Sequence, residues 1–516
     1  MAKVRTVYST QDDGAGTLRD ALRSTALYTS EWINDGALVN GDIIDFDDSL
    51  EDEESGVITI LLSSQIDLPA RALTIDGGAH TGSGETLQTR VILDAQQLGR
   101  VIFGSTSGGL TLKNITFKDG YQSGTANAGF VQIRNSGSYG INAFDNCVFK
   151  QTYEGNAAYN GGGLFIGSSS INNITNCSFY NCGASYGGSL FCRDTSNSTF
   201  TNCAFVGCKA SVNGGGIYAL GTAQNTLTNC TFDSCSATTG GAVYSYGTSQ
   251  NTLTNCTFDT CSAGNYGGAV YSANTSKNTL TDCTFDSCSA GTNGGAVYAN
   301  NTSQNSIVNC VFIPPENNEK TTIHNNGTNV DGSLIINGST VCDRVQFAAN
   351  TTSVINGKIT VDVLTISNGA TITFSGVDSV LAVTTTATIG SATFTAAADS
   401  TGYLALYSGA TAPTVGTGIL VCTYGADLLT FSADVDGATW TATNLSTPIL
   451  IEKQNGSTWT ALTANATGGS YSTTFVKGDV VRAFDGEKFI SITAQSPWVL
   501  NNWEQNSWTL LNWEMI

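Results

Sequence analysis

A short unit reading NCxF…C…GGxVY recurs at nearly constant spacing through the middle of this chain and constrains its fold more than any other feature. Its leading cysteine falls at Cys177, Cys203, Cys230, Cys256, Cys283 and Cys310. A second cysteine follows five positions later at Cys182, Cys208, Cys235, Cys261 and Cys288, and Cys147 opens a looser earlier copy. Units this short and this alike cannot each enclose a core. They bury their apolar residues by stacking on one another, which predicts a solenoid.

The pattern inside a unit predicts short strands joined by corners. In NTLTNCTFDTC, Leu253 points inward, Asn255 takes a corner, and Cys256 and Phe258 point inward again, so the corner interrupts the strand period of two. Asparagine tolerates the left-handed backbone such a corner needs. It recurs there as Asn146, Asn176, Asn202, Asn229, Asn255 and Asn309, with Asp282 as the exception, and stacked asparagines are expected to bridge one coil to the next. In the GGxVY element the glycines permit a sharp turn. Leu164, Leu190, Ile217, Val243, Val270 and Val297 then face the core, while Phe165, Phe191, Tyr218, Tyr244, Tyr271 and Tyr298 are expected to face out. At a strand spacing of about 4.8 Å these six rings span about 24 Å, a candidate ligand-binding ladder.

Four regions follow along the chain. Residues 1–55 read as an N-terminal capping region in which Thr17 caps a short helix with Leu18, Ala21 and Leu22 on one face. The acidic run Glu51 to Glu54 reads as a solvated loop. Residues 56–345 carry the coils. Residues 346–423 read either as shorter coils or as a separate β linker domain, and residues 424–516 as a small β-sandwich ending in a tryptophan-rich tail. In that tail Trp498, Trp503, Trp508 and Trp513 recur at every fifth position, an expected self-association surface or end cap.

Only 12% of the residues are charged, about half the usual share, and the formal net charge is -20. Such a chain repels phosphate backbones and anionic membrane surfaces, so no nucleic-acid partner is expected. Met1 to Thr10 show no cleavable signal pattern, and no apolar run is long enough to mark a transmembrane segment. Two histidines and no CxxC pair make a zinc or iron–sulfur centre a poor reading of the fifteen cysteines. Interior thiols are the preferred reading, with disulfides between coils as the alternative.

Asp233, Asp259 and Asp286 each follow the inward phenylalanine of TFD and should stack about 4.8 Å apart. That approaches the separation of about 5 Å used by retaining glycosidases. Identical copies in a ladder nevertheless offer nothing to keep one carboxyl protonated and its neighbour ionised, so a solvated or calcium-bridged corner is expected. A lyase would need calcium and a base beside it, and the regular coils hold few cations, chiefly Arg193, Lys209 and Lys277. The balance is against an enzyme, and no cofactor beyond structural calcium is expected.

The opening GTLRDAL of Gly16 to Leu22, followed by GDIIDF of Gly41 to Phe46, resembles that of secreted bacterial right-handed parallel β-helix proteins. The GGAVY…NCTF coils resemble the repeats of polymorphic outer-membrane and adhesin-like proteins. The resemblance spans about Val4 to Phe312. It implies an all-β, pectate-lyase-like right-handed parallel β-helix with an N-terminal cap, and an extracellular or cell-surface location. The expected function is a non-enzymatic adhesin-like surface protein that binds glycans or a host surface, or assembles into a surface structure. The alternative is a polysaccharide lyase or glycoside hydrolase on the same scaffold.

Overall fold

The computed structural model describes residues 3–424 except 24–37, 54, 70, 79–88, 105–108, 123–126, 128, 135–140, 153–157, 168–169, 316–319, 330, 377–378, 401, 408–412 and 417–418. Between 430 and 493 it describes seven strands. Two compact units divide at Leu334 and Ile335.

In the first unit each repeat contributes one strand to each of several parallel stacks. Gln224–Thr228 pairs with Gln250–Thr254, which pairs with Lys277–Thr281, always with the equivalent residue opposite. Thr231–Asp233, Thr257–Asp259 and Thr284–Asp286 form a second stack, and Val243–Gly247, Val270–Ser272 and Val297–Asn301 a third. A smaller parallel sheet runs from Ala158–Asn160 through Gly183–Tyr186 and Ser262–Tyr266 to Ser289–Ala290. Because the repeat length absorbs both strands and corners, residues of the three larger stacks meet their own counterparts one coil away and like side chains stack in files, while the smaller sheet carries register shifts. This is a parallel β-helix.

The corners follow from residue chemistry. Asn176, Asn202, Asn229, Asn255 and Asn309 have φ between 52° and 55°. That left-handed conformation costs a side chain less when it is asparagine. Their amides bridge adjacent coils as expected: Asn255 Nδ2 donates to Asn229 Oδ1 at 2.8 Å and Asn229 Nδ2 to Asn202 Oδ1 at 3.3 Å. Asp282 also has φ of 52°, and its carboxylate accepts from Asn309 Nδ2 at 3.3 Å. The opposite corner needs glycine for a different reason. A Cβ on Gly241 would collide with the backbone oxygens of Gly268 and Ser262.

The lumen is filled by files of like side chains. Phe232, Phe258, Phe285 and Phe312 stack with ring centroids 4.6–4.9 Å apart and interplanar angles of 2–5°. Leu227, Leu253, Leu280 and Ile307 are buried beside them. A third file is polar and was not anticipated. Asn225, Asn251, Asn278 and Asn305 lie inside the helix, two positions before those aliphatics, and donate along the stack at 2.8, 3.0 and 3.2 Å. The period of two already places them inward. An asparagine could occupy an apolar lumen only because stacking supplies each amide with a partner.

Parallel pairing begins within the N-terminal region, where Val4–Val7 pairs with Asp42–Phe46 and the latter with Leu73–Asp76. The helix Leu18–Leu22 forms there with Thr17 as N-cap, its hydroxyl accepting from Asp20 N at 3.2 Å. Leu18, Ala21 and Leu22 are buried, and the fully buried Arg5 donates from Nη1 to Ala21 O at 2.7 Å and Arg23 O at 3.0 Å. A guanidinium on the last carbonyls of a helix satisfies orphan acceptors and opposes the dipole. In the acidic run Asp52 and Glu53 are exposed, while Glu51, together with the exposed Asp48 just before the run, binds the buried guanidinium of Arg90.

In the second unit the strands Thr352–Ile366, Thr371–Phe374, Ser379–Ile389, Thr393–Ala396, Gly402–Tyr407 and Ile419–Tyr424 pair in parallel. Thr352 faces Thr371 and Thr371 faces Thr393, counterparts closer in sequence than Thr231 and Thr257 of the first unit. Pairing then becomes antiparallel. One sheet holds Thr430–Ala433, Trp440–Thr443 and Ser470–Thr473, and another Ile451–Asn455, Thr458–Thr463, Val480–Phe484 and Phe489–Thr493. Trp498, Trp503, Trp508 and Trp513 lie outside the described residues.

Candidate functional site

The expected aromatic ladder exists, but it is not an exposed platform. Phe165, Phe191, Tyr218, Tyr244, Tyr271 and Tyr298 stand in register on successive coils. Each is only 2–8% exposed. Their strand period does turn them away from the lumen, yet Tyr186, Leu220 and Tyr266 pack over them and close a second apolar layer. Tyr244 and Tyr271 stack at 5.0 Å, Tyr271 and Tyr298 at 5.4 Å, and His324 continues the file on Tyr298 at 4.9 Å. Burial pushes the phenols of Tyr218, Tyr244 and Tyr271 up, and that of Tyr298 up to about 12. Period two separates lumen from exterior; it cannot tell an exterior row left in water from one that other side chains cover.

The covering residues, which sequence reasoning missed, provide the accessible aromatic surface. In the small sheet Asn160 pairs with Tyr186, Tyr186 with Asn213, Asn213 with Thr239 and Thr239 with Tyr266. Tyr186, Asn213, Thr239 and Tyr266 are all partly exposed. Three coil steps of about 4.8 Å put the two tyrosines about 14 Å apart along the axis, with an amide and a hydroxyl between them. Tyr159, 37% exposed, extends the strip edge-on to Tyr186 at 5.3 Å. The inner rings set this strip in place: Tyr186 contacts Tyr218 at 5.8 Å, and Tyr266 contacts Tyr298 at 4.7 Å.

Asp233, Asp259 and Asp286 do form a column, one carboxylate per coil, bracketed in register by Val206 and Ile313. Two of them are engaged locally: Ser234 Oγ donates to Asp233 at 2.6 Å and Ser287 Oγ to Asp286 at 2.9 Å. Among the described residues no group of three or more His, Cys, Asp or Glu is placed to hold a metal ion, so the calcium expectation finds no ligand cluster there. A ladder spreads its carboxylates along a line, whereas calcium needs six to eight oxygens converging on a point.

The fourteen described cysteines are free and buried. Burial pushes the thiols of Cys177 and Cys182 well up, and that of Cys192 up to about 12. Relative to a free thiol near 8.5, Cys192 should carry roughly a thousandfold less thiolate at pH 8. Native-state alkylation is therefore expected to leave these residues unmodified until the protein unfolds; rapid labelling read by mass spectrometry would overturn the inward assignment. The same shift works against the fold in alkali. Unfolded thiols ionise first, so stability is full below about pH 8.5 and is lost as pH rises toward the folded value of Cys192.

A family model described as right handed beta helix region matches residues 100–264 and 210–377, together more than half of the chain. The chain belongs to this family. Among solved structures it is similar to ORF18 of Geobacillus virus E2, at 11% identity and a TM-score of 0.28, covering 98% of this chain and 80% of that one. It is also similar to a mutant tailspike protein of E. coli bacteriophage HK620 in complex with a pentasaccharide, at 11% identity and a TM-score of 0.30, covering 83% of this chain and 85% of that one. No curated protein matches the sequence. No helix among the described residues is long and apolar enough to cross a membrane.

Proposed function

We propose that this β-helix is an adhesin-like extracellular surface protein that binds carbohydrate along its flank without cleaving it. The observation that carries the reading is the strip Tyr159, Tyr186, Asn213, Thr239 and Tyr266, in which wholly or partly exposed rings flank an amide and a hydroxyl on a rigid stack. Rings offer flat apolar faces to sugar rings, and the amide and hydroxyl between them suit sugar hydroxyls. Parallel coils fix these spacings, so a glycan chain would meet a preorganised surface and little ordering entropy would be lost by the protein. The reading without cleavage treats Asp233, Asp259 and Asp286, which repeat one per coil, as a corner column and not as a catalytic pair.

The test is a glycan array run with reducing-end and unsaturated-uronate product assays, with and without calcium. Selective binding without products is expected. The Tyr159→Ala/Tyr266→Ala variant should bind the selected glycan at least about tenfold more weakly, a loss of about 1.4 kcal/mol. Shortened glycans would transfer the strip to a hydrolase or lyase, and a blank array would remove the carbohydrate reading.

A further inference from the structure

The column Cys182, Cys208, Cys235, Cys261 and Cys288 has no role in the surface just described. Each cysteine immediately precedes a residue paired in the small sheet, and the carbonyls of the first four accept the next coil's amide: Lys209 N to Cys182 O, Ser236 N to Cys208 O, Ser262 N to Cys235 O and Ser289 N to Cys261 O, all at 2.9 Å. The thiols therefore repeat at the coil spacing of about 4.8 Å, with their Cα–Cβ bonds directed across the axis. Each S–H donates only weakly, to the carbonyl of a phenylalanine one coil back, at 3.3–3.5 Å. The surroundings are dry and tight: a Cβ on Gly163 would already lie 3.3 Å from Cys182 Sγ and 2.9 Å from the Phe179 ring.

We propose that this column is a linear site for a soft monovalent cation, Cu(I), with each ion held between the thiolates of two successive coils. Two metal–thiolate bonds of about 2.3 Å laid end to end span about 4.6 Å, close to the coil spacing of about 4.8 Å. Thiolate ligands favour Cu(I), and among the described residues no group of three or more His, Cys, Asp or Glu is placed to hold a metal ion, so a pair of sulfurs along one axis suits two-coordination and not tetrahedral zinc. Charge also balances. Four ions between five thiolates leave one net negative charge, the first ion releasing two protons to water and each later ion one. Cys288, 5% exposed and followed one coil later by the break in the repeat at Pro314 and Pro315, offers the way in.

The reduced full-length chain would be titrated anaerobically with Cu(I), and in parallel with Ag(I), against a competing chromophoric chelator. Bound metal, circular dichroism and copper-edge X-ray absorption would be read together. Every adjacent pair contains Cys208 or Cys261, so the Cys208→Val/Cys261→Val variant should hold four fewer ions per chain, while Cys192→Val, outside the column, should hold as many as the unaltered protein. The absorption spectrum should show two sulfur neighbours per copper in a protein of native dichroism. An unchanged count in the double variant, three-coordinate copper, or uptake only after the native dichroism is lost would each overturn the site. The single variant Cys235→Val, which removes the two central pairs, should hold two fewer ions and keeps the test decisive even if the double variant does not fold.

Discussion

Phe258→Ala is expected to destabilise the coil stack by about 3–5 kcal/mol, the usual cost of emptying a buried aromatic site. The ring is fully buried and stacks on both neighbours, Phe232 at 4.9 Å and Phe285 at 4.7 Å, within 4° of parallel. Its loss removes two aromatic contacts as well as buried area. The coils on either side cannot close the gap, because their spacing is held by backbone ladders such as Thr257 with Thr231 and Thr284. Chemical denaturation monitored by circular dichroism checks the value. In a solenoid the damage should also be local, so hydrogen exchange should accelerate in coils near Phe258 before distant ones. A loss below about 1 kcal/mol would mean that the lumen is not close-packed there.

Tyr271→Ser is expected to cost about 3–5 kcal/mol as well, although its strand period turns the ring away from the lumen. Tyr271 is 7% exposed, stacks between Tyr244 and Tyr298, and accepts a hydrogen bond from Asn300 Nδ2 at 2.7 Å. Tyr271→Phe separates the two contributions, keeping the stack and losing only the hydrogen bond, for about 1 kcal/mol. A surface ring would behave differently, since exposed substitutions usually stay within about 0.5 kcal/mol. Thermal melts of the two variants distinguish the cases. Equal, small shifts would return the ladder to solvent.

The same comparison marks where reading the residues succeeded. Asn255 at its corner, Cys256 and Phe258 inward, and Val243 under the GG turn could all be placed because a local rule decides each: left-handed tolerance, strand parity, or glycine's freedom. Asn251 obeys the same parity and lies inside, but its polarity does not announce a lumen position, and its burial is tolerable because Asn278, Asn225 and Ser245 all hydrogen-bond its amide. The candidate site was less legible. Tyr244 and Tyr186 belong to different strands of the unit, and nothing local to Tyr244 announces that side chains such as Tyr186 and Tyr266 will lie across its file. The most exposed tyrosine of the strip, Tyr159, belongs to the small sheet, whose strands carry little apolar alternation.

What the sequence by itself determined is the periodic part: a short repeat of nearly constant length dictates parallel stacking, in-register files and corners at Asn and Gly, because each unit can satisfy its backbone and bury its apolar side only against a copy of itself. What only the tertiary structure decided is which outward side chains remain in water. Exposure depends on where the small sheet lies against the neighbouring strand stack, a packing relation between residues far apart within each turn. That relation buries Tyr271 and leaves Tyr159 accessible. Strand parity chooses a face of the sheet; the free energy of covering that face belongs to the assembled coil.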